Sequence, residues 1–346
     1  MTMSKNQPIN QKIYIDNETG EILHPLIDKS STGRTRPWAD KKSKDDQLAN
    51  LYYSLSLHQG DYYYNKGERL NNCGSILTFN EEDSNNKKLV YSNSCRVKLC
   101  PICSWRRTLK LYAQTTAIFN ELTKNKDYRY IFLTLTVPNC VGADLPATIT
   151  KMMKAWDKLT RRKIWINNIL GYFRVMEITH NINPKSKSYN TYHPHFHVVL
   201  VVDKSYFSKY EDKYINQSQW LKLWRSVMQD NSITQVNIKT IKSTDDNFNH
   251  ALAEVSKYSV KDADYIIPHQ WKLSQETVKT LDLALHRRRL VAFGGIVKQV
   301  HKKLNLDDPL DGDLTHIDKD SVADATSQNL VSYFWHCGYQ QYFKID

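Results

Sequence analysis

The stretch that most constrains the fold is residues 193–202, where three alternating histidines lead into five consecutive apolar residues. The apolar run is rich in β-branched side chains, which predicts a strand buried on both faces. Side chains alternate along a strand, so His193, His195 and His197 share one face. A lone buried histidine is usually a tolerated core residue. Three on one face favour a divalent metal site over that alternative.

Composition adds a second constraint. The chain has 346 residues, enough for one large domain or two modest ones, with 48 Lys and Arg against 36 Asp and Glu. The formal net charge of +12 favours a polyanionic partner. We find no apolar run near the ~20 residues that span a bilayer and no signal-peptide core at the N-terminus, so a cytoplasmic protein without a membrane partner is expected.

Four of the six cysteines are predicted to bind one structural Zn²⁺. Cys100 and Cys103 flank a two-residue turn of the kind found in zinc ribbons, and Cys73 and Cys95 complete a tetrahedral set. All four positions would be filled by protein, so this ion would serve folding; unligated thiols are the alternative. Two arginines follow the turn. Arg106 and Arg107 are predicted to bind a DNA phosphate backbone, against the plain alternative of a solvated helix start.

Regular patterns begin near residue 128. Strands alternate with helices in the order strand, helix, strand, strand, helix, strand, and the predicted ranges are 130–137, 149–159, 172–179, 192–202, 217–229 and 235–242. This order predicts an α+β fold built on a ferredoxin-like (split βαβ) antiparallel sheet. The histidine strand would be central, with helices on one face and the other face free for a long ligand. A zinc-ribbon-like element on the N-terminal side and additional C-terminal helices complete the expectation.

Glu177 is the expected third metal ligand. It lies on the second strand of this sheet, on the same face as Phe173 and Val175. A charge on a sheet face needs a partner, and the histidine strand is the expected neighbour. An exposed glutamate at a sheet edge is the alternative. His193 is a further candidate that either binds the metal or orients the other two histidines.

A helix predicted over residues 248–260 carries a second set of reactive groups. Glu254 and Tyr258 are four residues apart and therefore neighbours on one helical face, and Lys261 follows. Any one of 21 tyrosines is ordinarily a packing residue. Beside a metal that withdraws charge, however, a tyrosine hydroxyl can attack phosphorus to form a phosphotyrosine ester. Glu254 could activate water to resolve that ester, and Lys261 could neutralise phosphate charge.

These residues resemble a known family. His195-Phe196-His197 is similar to the HUH motif (histidine, hydrophobic, histidine) of single-strand endonucleases. Residues 132–139, 192–197 and 254–261 together resemble the three motifs of plasmid rolling-circle replication initiator (Rep) proteins of the HUH endonuclease superfamily. The segments 36–38, 95–107 and 293–304 are also similar to that family. The resemblance covers roughly residues 30–315.

The resemblance implies a function. Such proteins bind the double-strand origin of their plasmid and nick one strand, staying on the 5′ phosphate through tyrosine and leaving a 3′ hydroxyl for polymerase. Tyr258 matches the nucleophile, His195 and His197 match the metal ligands, and Glu254 matches the carboxylate of the single-tyrosine-plus-glutamate subgroup. Lys257, in the same motif, is expected to contact DNA. The resemblance implies Mn²⁺ or Mg²⁺ as cofactor, and plasmid origin DNA, a host helicase and a host polymerase as partners.

The expected organisation has four parts: a polar, loosely attached arm over 1–45, a zinc-binding DNA-contacting region over 46–125, a catalytic domain over 126–265, and a helical extension with an acidic tail over 266–346. Other functions remain open at this point. One is an HUH relaxase or single-tyrosine transposase. The other is a non-catalytic zinc-ribbon DNA-binding repressor, in which Tyr258→Phe would retain all function.

Overall fold

A computed structural model describes residues 14–345, except 17, 31, 84–85, 209, 211–212, 242–245, 258–259 and 318–328. Its helices are α1 Trp38–Gln59, α2 Asp61–Asn72, α3 Pro101–Leu122, α4 Leu145–Thr160, α5 Lys163–Asn168, α6 Gln217–Met228, α7 Asp246–Val255, α8 Trp271–Leu285 and α9 Gly295–Lys303. Its strands are β1 Tyr14–Ile15, β2 Ile22–Leu23, β3 Ile76–Asp83, β4 Asn86–Ser92, β5 Tyr128–Thr136, β6 Gly171–His180, β7 Tyr192–Asp203, β8 Val236–Ile241, β9 Val291–Gly294, β10 Leu330–His336 and β11 Gln341–Lys344.

The larger sheet has five strands in the order β8-β5-β7-β6-β9, and every neighbouring pair is antiparallel. The histidine strand β7 is central, as predicted. The outer strand β9, which contains Phe293 and Gly294, lies outside the predicted strand–helix order. It extends the sheet beyond β6, where Phe293 stacks on Phe173 at 5.2 Å between ring centroids.

Helices α4 and α6 cover one face of this sheet. In α4, apolar side chains recur at helical spacing, and Met152 and Trp156 pack against Phe196 and its neighbours in β7. In α6, a capping box between Asn216 and Gln219 satisfies the first backbone N–H groups of the helix. These two helices are the ones that the strand–helix order predicts.

The opposite face is also covered, which corrects the expectation that it is free. Helices α3, α7 and α9 place apolar side chains over Phe173, Val175, Val199 and Val201. All three lie outside the predicted strand–helix repeat, and β7 is apolar on both faces because it is buried on both. The covered part of β7 begins at Val199, so the preceding histidines lie beyond it.

A second, four-stranded sheet has the order β11-β10-β3-β4 and is antiparallel throughout. Its strands β10 and β11 come from the C-terminal part of the chain, and Phe334 of β10 pairs with Ile76 of β3. The prediction of helices and an acidic tail over 266–346 is therefore wrong for residues 330–344. The tail aspartates Asp318 and Asp320 lie outside the described residues.

The N-terminal arm is shorter than predicted. Helix α1 begins at Trp38, whose side chain is buried and whose Nε1 donates to Asp28 Oδ2 at 2.7 Å. Lys42 and Asp45 are buried as well, so residues assigned to a loose arm belong to the core. Within the described ranges, no helix combines the length and apolar character needed to span a membrane.

Candidate metal centres and the surrounding site

Glu177, His195 and His197 meet beyond the covered part of the larger sheet. The strand register places Glu177 directly opposite His195, and His197 is two residues further along the same face. His197 Nε2 lies 3.0 Å from Glu177 Oε2 and 3.0 Å from His195 Nε2, and His195 Nε2 lies 3.4 Å from the same carboxylate oxygen. The three predicted ligands therefore converge on one point.

Neighbouring groups fix the orientation of both imidazoles. His195 Nδ1 lies 3.1 Å from the His193 carbonyl oxygen, which can only accept, so Nδ1 donates and Nε2 is directed at the cluster. His197 Nδ1 lies 3.4 Å from Thr134 Oγ1. Such outer partners are typical of metal-binding histidines. Two Nε2 atoms 3.0 Å apart beside a carboxylate form a donor set suited to a metal ion.

The carboxylate of this cluster is held in its charged form. Glu177 is only 6% exposed, and burial alone would raise its pKa. Hydrogen bonds and positive charge from His195 and His197 outweigh that burial and hold the pKa of Glu177 well below its usual range. Lys261 Nζ, predicted to act beside the metal, lies 3.6 Å from Glu177 Oε1. One carboxylate oxygen thus faces the histidines and the other faces the lysine.

His193 has a different position from the other two histidines. Its ring stacks beside that of His195 with centroids 5.2 Å apart, and its carbonyl accepts from His195. Among the described residues, the converging ligand atoms of this cluster come from Glu177, His195 and His197. Of the two roles considered for His193, the geometry favours orientation over ligation.

The segment that follows α7 carries the other predicted catalytic groups. Helix α7 ends at Val255, five residues before the predicted end, and Glu254 in its last turn forms an ion pair with the exposed Lys257. Tyr258 lies outside the described residues. Lys261 therefore belongs to a separate segment that returns to the sheet rather than to the helix itself.

His180 anchors that returning segment, a role the sequence did not reveal. Its Nδ1 lies 2.9 Å from the Asp264 carbonyl oxygen, and its ring stacks on Tyr192 with centroids 4.4 Å apart. His180 ends the strand that carries Glu177, so one strand positions both the carboxylate and the loop with Lys261. Thr134 was also missed, although its position on the histidine-facing side of β5 was visible in the alternation.

The four predicted zinc ligands form a closed, buried cluster. Cys73 Sγ lies 3.6 Å from Cys100 Sγ and 3.7 Å from Cys103 Sγ, and Cys95 Sγ lies 3.8 Å from Cys103 Sγ. Four thiolates about 2.3 Å from one zinc ion define a tetrahedron with edges of about 3.8 Å. Disulfide sulfurs would be about 2.05 Å apart, so these are free thiols at ligand spacing.

Backbone amides surround the same sulfurs. Cys103 N donates to Cys100 Sγ at 3.2 Å, Arg96 N to Cys103 Sγ at 3.4 Å, and Val97 N to Cys95 Sγ at 3.4 Å. Hydrogen bonds of this kind stabilise thiolate charge. Arg96 has a φ of 57°, which turns the chain around the cluster. The four thiols are compatible with Zn²⁺, and the carboxylate with two imidazoles is a second group of donors that could bind a metal ion.

The predicted DNA contacts of Arg106 and Arg107 need correction, because both side chains are buried. Arg106 donates to the carbonyls of Leu314 and Thr315 at 2.9 and 2.8 Å. Arg107 donates to the carbonyls of Leu310, Val97 and Arg96 at 3.0–3.3 Å. The two guanidinium groups fasten the loop after α9 to α3, so carbonyl oxygens take the place of the predicted DNA phosphates as their partners. Their donors are already used by carbonyls.

The chain is a mixed α+β protein with a buried tetracysteine cluster and a Glu-His-His cluster. A family model described as "Replication protein" matches residues 86–343, and the chain belongs to that family. "Protein rep" of Bacillus amyloliquefaciens is 36% identical over 336 residues, covering 92% of this chain and 96% of the relative.

Two further relatives agree. "Protein rep" of Streptococcus pneumoniae is 32% identical, covering 92% of this chain and 95% of the relative. "Protein rep" of a Bacillus species is 38% identical, covering 79% and 92%. The predicted resemblance to plasmid replication initiator (Rep) proteins is thereby confirmed. No solved structure gives a significant match to the chain.

Proposed function

We propose that this protein initiates rolling-circle replication by binding the double-strand origin of its plasmid and nicking one strand. The observation that carries the proposal is the convergence of Glu177, His195 and His197, with Lys261 3.6 Å from the carboxylate. Membership of the replication protein family supplies the context. The strand order β8-β5-β7-β6 supports a ferredoxin-like (split βαβ) arrangement beneath this site.

Glu177, His195 and His197 would hold Mn²⁺ or Mg²⁺. The bound ion would supply charge stabilisation to a phosphodiester oxygen. The surrounding protein groups orient the ligands and neutralise charge. The hydrogen bonds to His193 and Thr134 keep both Nε2 atoms directed at the site. Lys261, whose side chain is 59% exposed, is available to neutralise phosphate charge beside Glu177.

In the proposed reaction, the Tyr258 hydroxyl attacks the scissile phosphorus, and the 3′ oxygen leaves and takes up a proton to become a primer terminus for a host polymerase. A host helicase then unwinds the nicked plasmid. The products are a 5′-phosphotyrosine ester and a free 3′ hydroxyl. Tyr258 stands three residues before Lys261 in the sequence, which supports its assignment.

Glu254 is proposed to end the round. A carboxylate that accepts a proton from water generates the nucleophile that hydrolyses the phosphotyrosine ester. Glu254 forms an ion pair with the neighbouring Lys257 in the described structure. Lys257, which is exposed, is proposed to contact the DNA backbone beside it.

The test incubates a supercoiled plasmid carrying the cognate origin with the wild-type protein, Tyr258→Phe and Glu254→Ala, each in Mn²⁺ or in EDTA. Denaturing gels with phosphatase and protease controls separate the nick from the protein–DNA adduct. We expect wild-type protein to nick in Mn²⁺ alone, Tyr258→Phe to bind without nicking, and Glu254→Ala to nick and retain the adduct. Tyr62→Phe, an exposed tyrosine of α2, serves as matched control and should nick normally.

Two results would contradict the proposal. Binding of the origin without a nick in any divalent metal would move the protein to the class of DNA-binding repressors. A nick that persists in Tyr258→Phe would mean that another group is the nucleophile.

A further inference from the structure

Arg174 is a buried cation without an anionic partner among the described residues. It lies in β6 on the face opposite to Glu177, three residues away, and is 4% exposed. Its guanidinium stacks over Phe196 at 4.5 Å and Trp156 at 5.2 Å. The one hydrogen bond the described structure gives it runs from Nη1 to the sulfur of Met153 at 3.4 Å, a weak acceptor, and Nε has no partner. Buried arginines are rarely left in this state.

A cavity of about 270 Å³ opens beside this side chain. Its charged lining consists of three guanidinium groups, Arg174, Arg288 and Arg289, and one carboxylate, Asp157. Asp157 is exposed and lies beyond ion-pair distance of Arg174 in the described structure. The cavity is therefore positive overall, and burial lowers the pKa of Arg174 to about 10 because the charge there is poorly solvated.

A second cavity of about 300 Å³ adjoins the first. The two share Arg288 and Arg289. The second is also lined by Arg96, Lys98, Arg287 and Arg107, the last of which donates to carbonyls, with Asp308 and Asp311 as its acidic groups. Arg287 and Arg289 are exposed. Positive side chains thus continue from the cavity at Arg174 along the turn after α8 to the loop of the tetracysteine cluster.

We propose that the cavity at Arg174 binds a phosphodiester group of DNA, and that the strand continues past Arg288 and Arg289 into the second cavity. The guanidinium contacts two neighbouring aromatic rings that also contact each other, and these contacts restrict its orientation, which suits bidentate recognition of phosphate oxygens. This inference rests on the proposed function for the identity of the polyanion. Because the cavity and Glu177 lie on opposite faces of the sheet, the bound phosphate belongs to DNA flanking the nick and positions the duplex.

The experiment measures DNA binding separately from cleavage. Fluorescence anisotropy follows a labelled origin duplex bound to Tyr258→Phe protein in EDTA, over a series of salt concentrations. Arg174→Met keeps an apolar, unbranched side chain against Phe196 and Trp156. Lys222→Met removes one charge from an exposed position of α6 that lines neither cavity. In parallel, the Tm of each variant is measured by thermal unfolding, with and without inorganic phosphate or ATP.

We expect Arg174→Met to weaken duplex binding about tenfold and to reduce the slope of log Kd against log salt by about 0.9, the value for one lost phosphate contact. Its Tm should not fall, because an unpaired buried charge has been replaced by an apolar group. Lys222→Met should keep the wild-type slope. Arg289→Ala, at the boundary of both cavities, should reduce the slope in the same way.

Three results would overturn the proposal. An unchanged salt slope with a lowered Tm would make Arg174 a packing residue. Equal losses of DNA affinity in Lys222→Met and Arg174→Met would mean that the effect comes from the change in net charge. A phosphate- or ATP-induced rise in Tm that Arg174→Met abolishes, with DNA binding intact, would assign the cavity to a free phosphate compound. A variant that no longer nicks but keeps the wild-type slope of log Kd against log salt in EDTA would bear on the proposed function and not on this cavity.

Discussion

The tetracysteine cluster and the Glu-His-His cluster differ in how they are closed. Four buried sulfurs surround the first, and backbone amides from the same loop surround the sulfurs. The second has three ligand atoms, from Glu177, His195 and His197, next to the exposed Lys261. A closed tetrahedral site contributes to folding, whereas a site with open positions can bind a substrate oxygen. The two clusters therefore differ in the number and kind of their donor groups rather than in burial, since Glu177 and His195 are buried as well.

The largest expected effect comes from opening the closed site. Cys100→Ser removes a thiolate from a set that joins α2, the β4 loop and α3. Structural zinc contributes about 10–16 kcal/mol of apparent binding energy, comparable to a whole domain's stability, so we expect loss of bound zinc and of cooperative unfolding. Zinc content by mass spectrometry and far-UV circular dichroism would measure both.

Cys337→Ser is the matched control, since Cys337 is exposed and outside the cluster. It should retain zinc and fold normally. A folded Cys100→Ser variant with full nicking activity would show that the closed site is dispensable and would remove the contrast.

An intermediate effect is expected at the open site. His197→Ala should lower nicking at least a hundredfold and abolish the Mn²⁺-induced rise in Tm, while zinc content and metal-free Tm stay near wild type. His193→Ala keeps the backbone carbonyl that orients His195, so it should lose tenfold at most. Unfolding of His197→Ala with loss of zinc would mean that the two centres are not independent.

The smallest effect concerns Asp262, which ties the Lys261 segment to α1. Its Oδ2 lies 2.5 Å from Lys41 Nζ and 3.4 Å from Lys44 Nζ. Burial opposes ionisation, yet the two lysines lower the pKa of Asp262 below its ordinary value. A lowered carboxyl pKa adds stability above the unfolded pKa of about 3.9, and this stability is lost as the pH falls through the folded pKa.

Asp262→Asn should therefore lower the free energy of unfolding by about 1 kcal/mol near pH 7, with the difference shrinking below about pH 4. Urea unfolding of both proteins across that range is the measurement. A difference that is constant from about pH 7 to pH 3 would contradict the electrostatic cause.

Local patterns predicted the histidine strand, its four-strand framework and the tetracysteine cluster because each depends on alternation or short spacing. Glu177 could be assigned from the face it shares with Val175, and the register then set it opposite His195. The metal-binding roles inferred for these residues remain predictions.

Strand pairing between distant parts of the chain could not be predicted from the sequence. Nothing local near Ile76 indicates that Phe334 pairs with it, so β10 and β11 were missed. Arg106 and Arg107 look like surface cations in sequence, and only the return of residues 310–315 over α3 buries them. Arg174 stands in an apolar strand, and its cavity depends on Arg288 and Arg289 more than a hundred residues later.

The pairing of Glu177 with His195 has a consequence for folding fidelity. A slip of one residue between β6 and β7 would turn the carboxylate to the opposite face and leave an apolar pattern that still packs. Only the correct alignment creates the three-ligand set. A divalent ion at a hundred times its Kd would favour that alignment by about 2.7 kcal/mol. The ion would therefore also stabilise the correct strand register relative to misaligned ones.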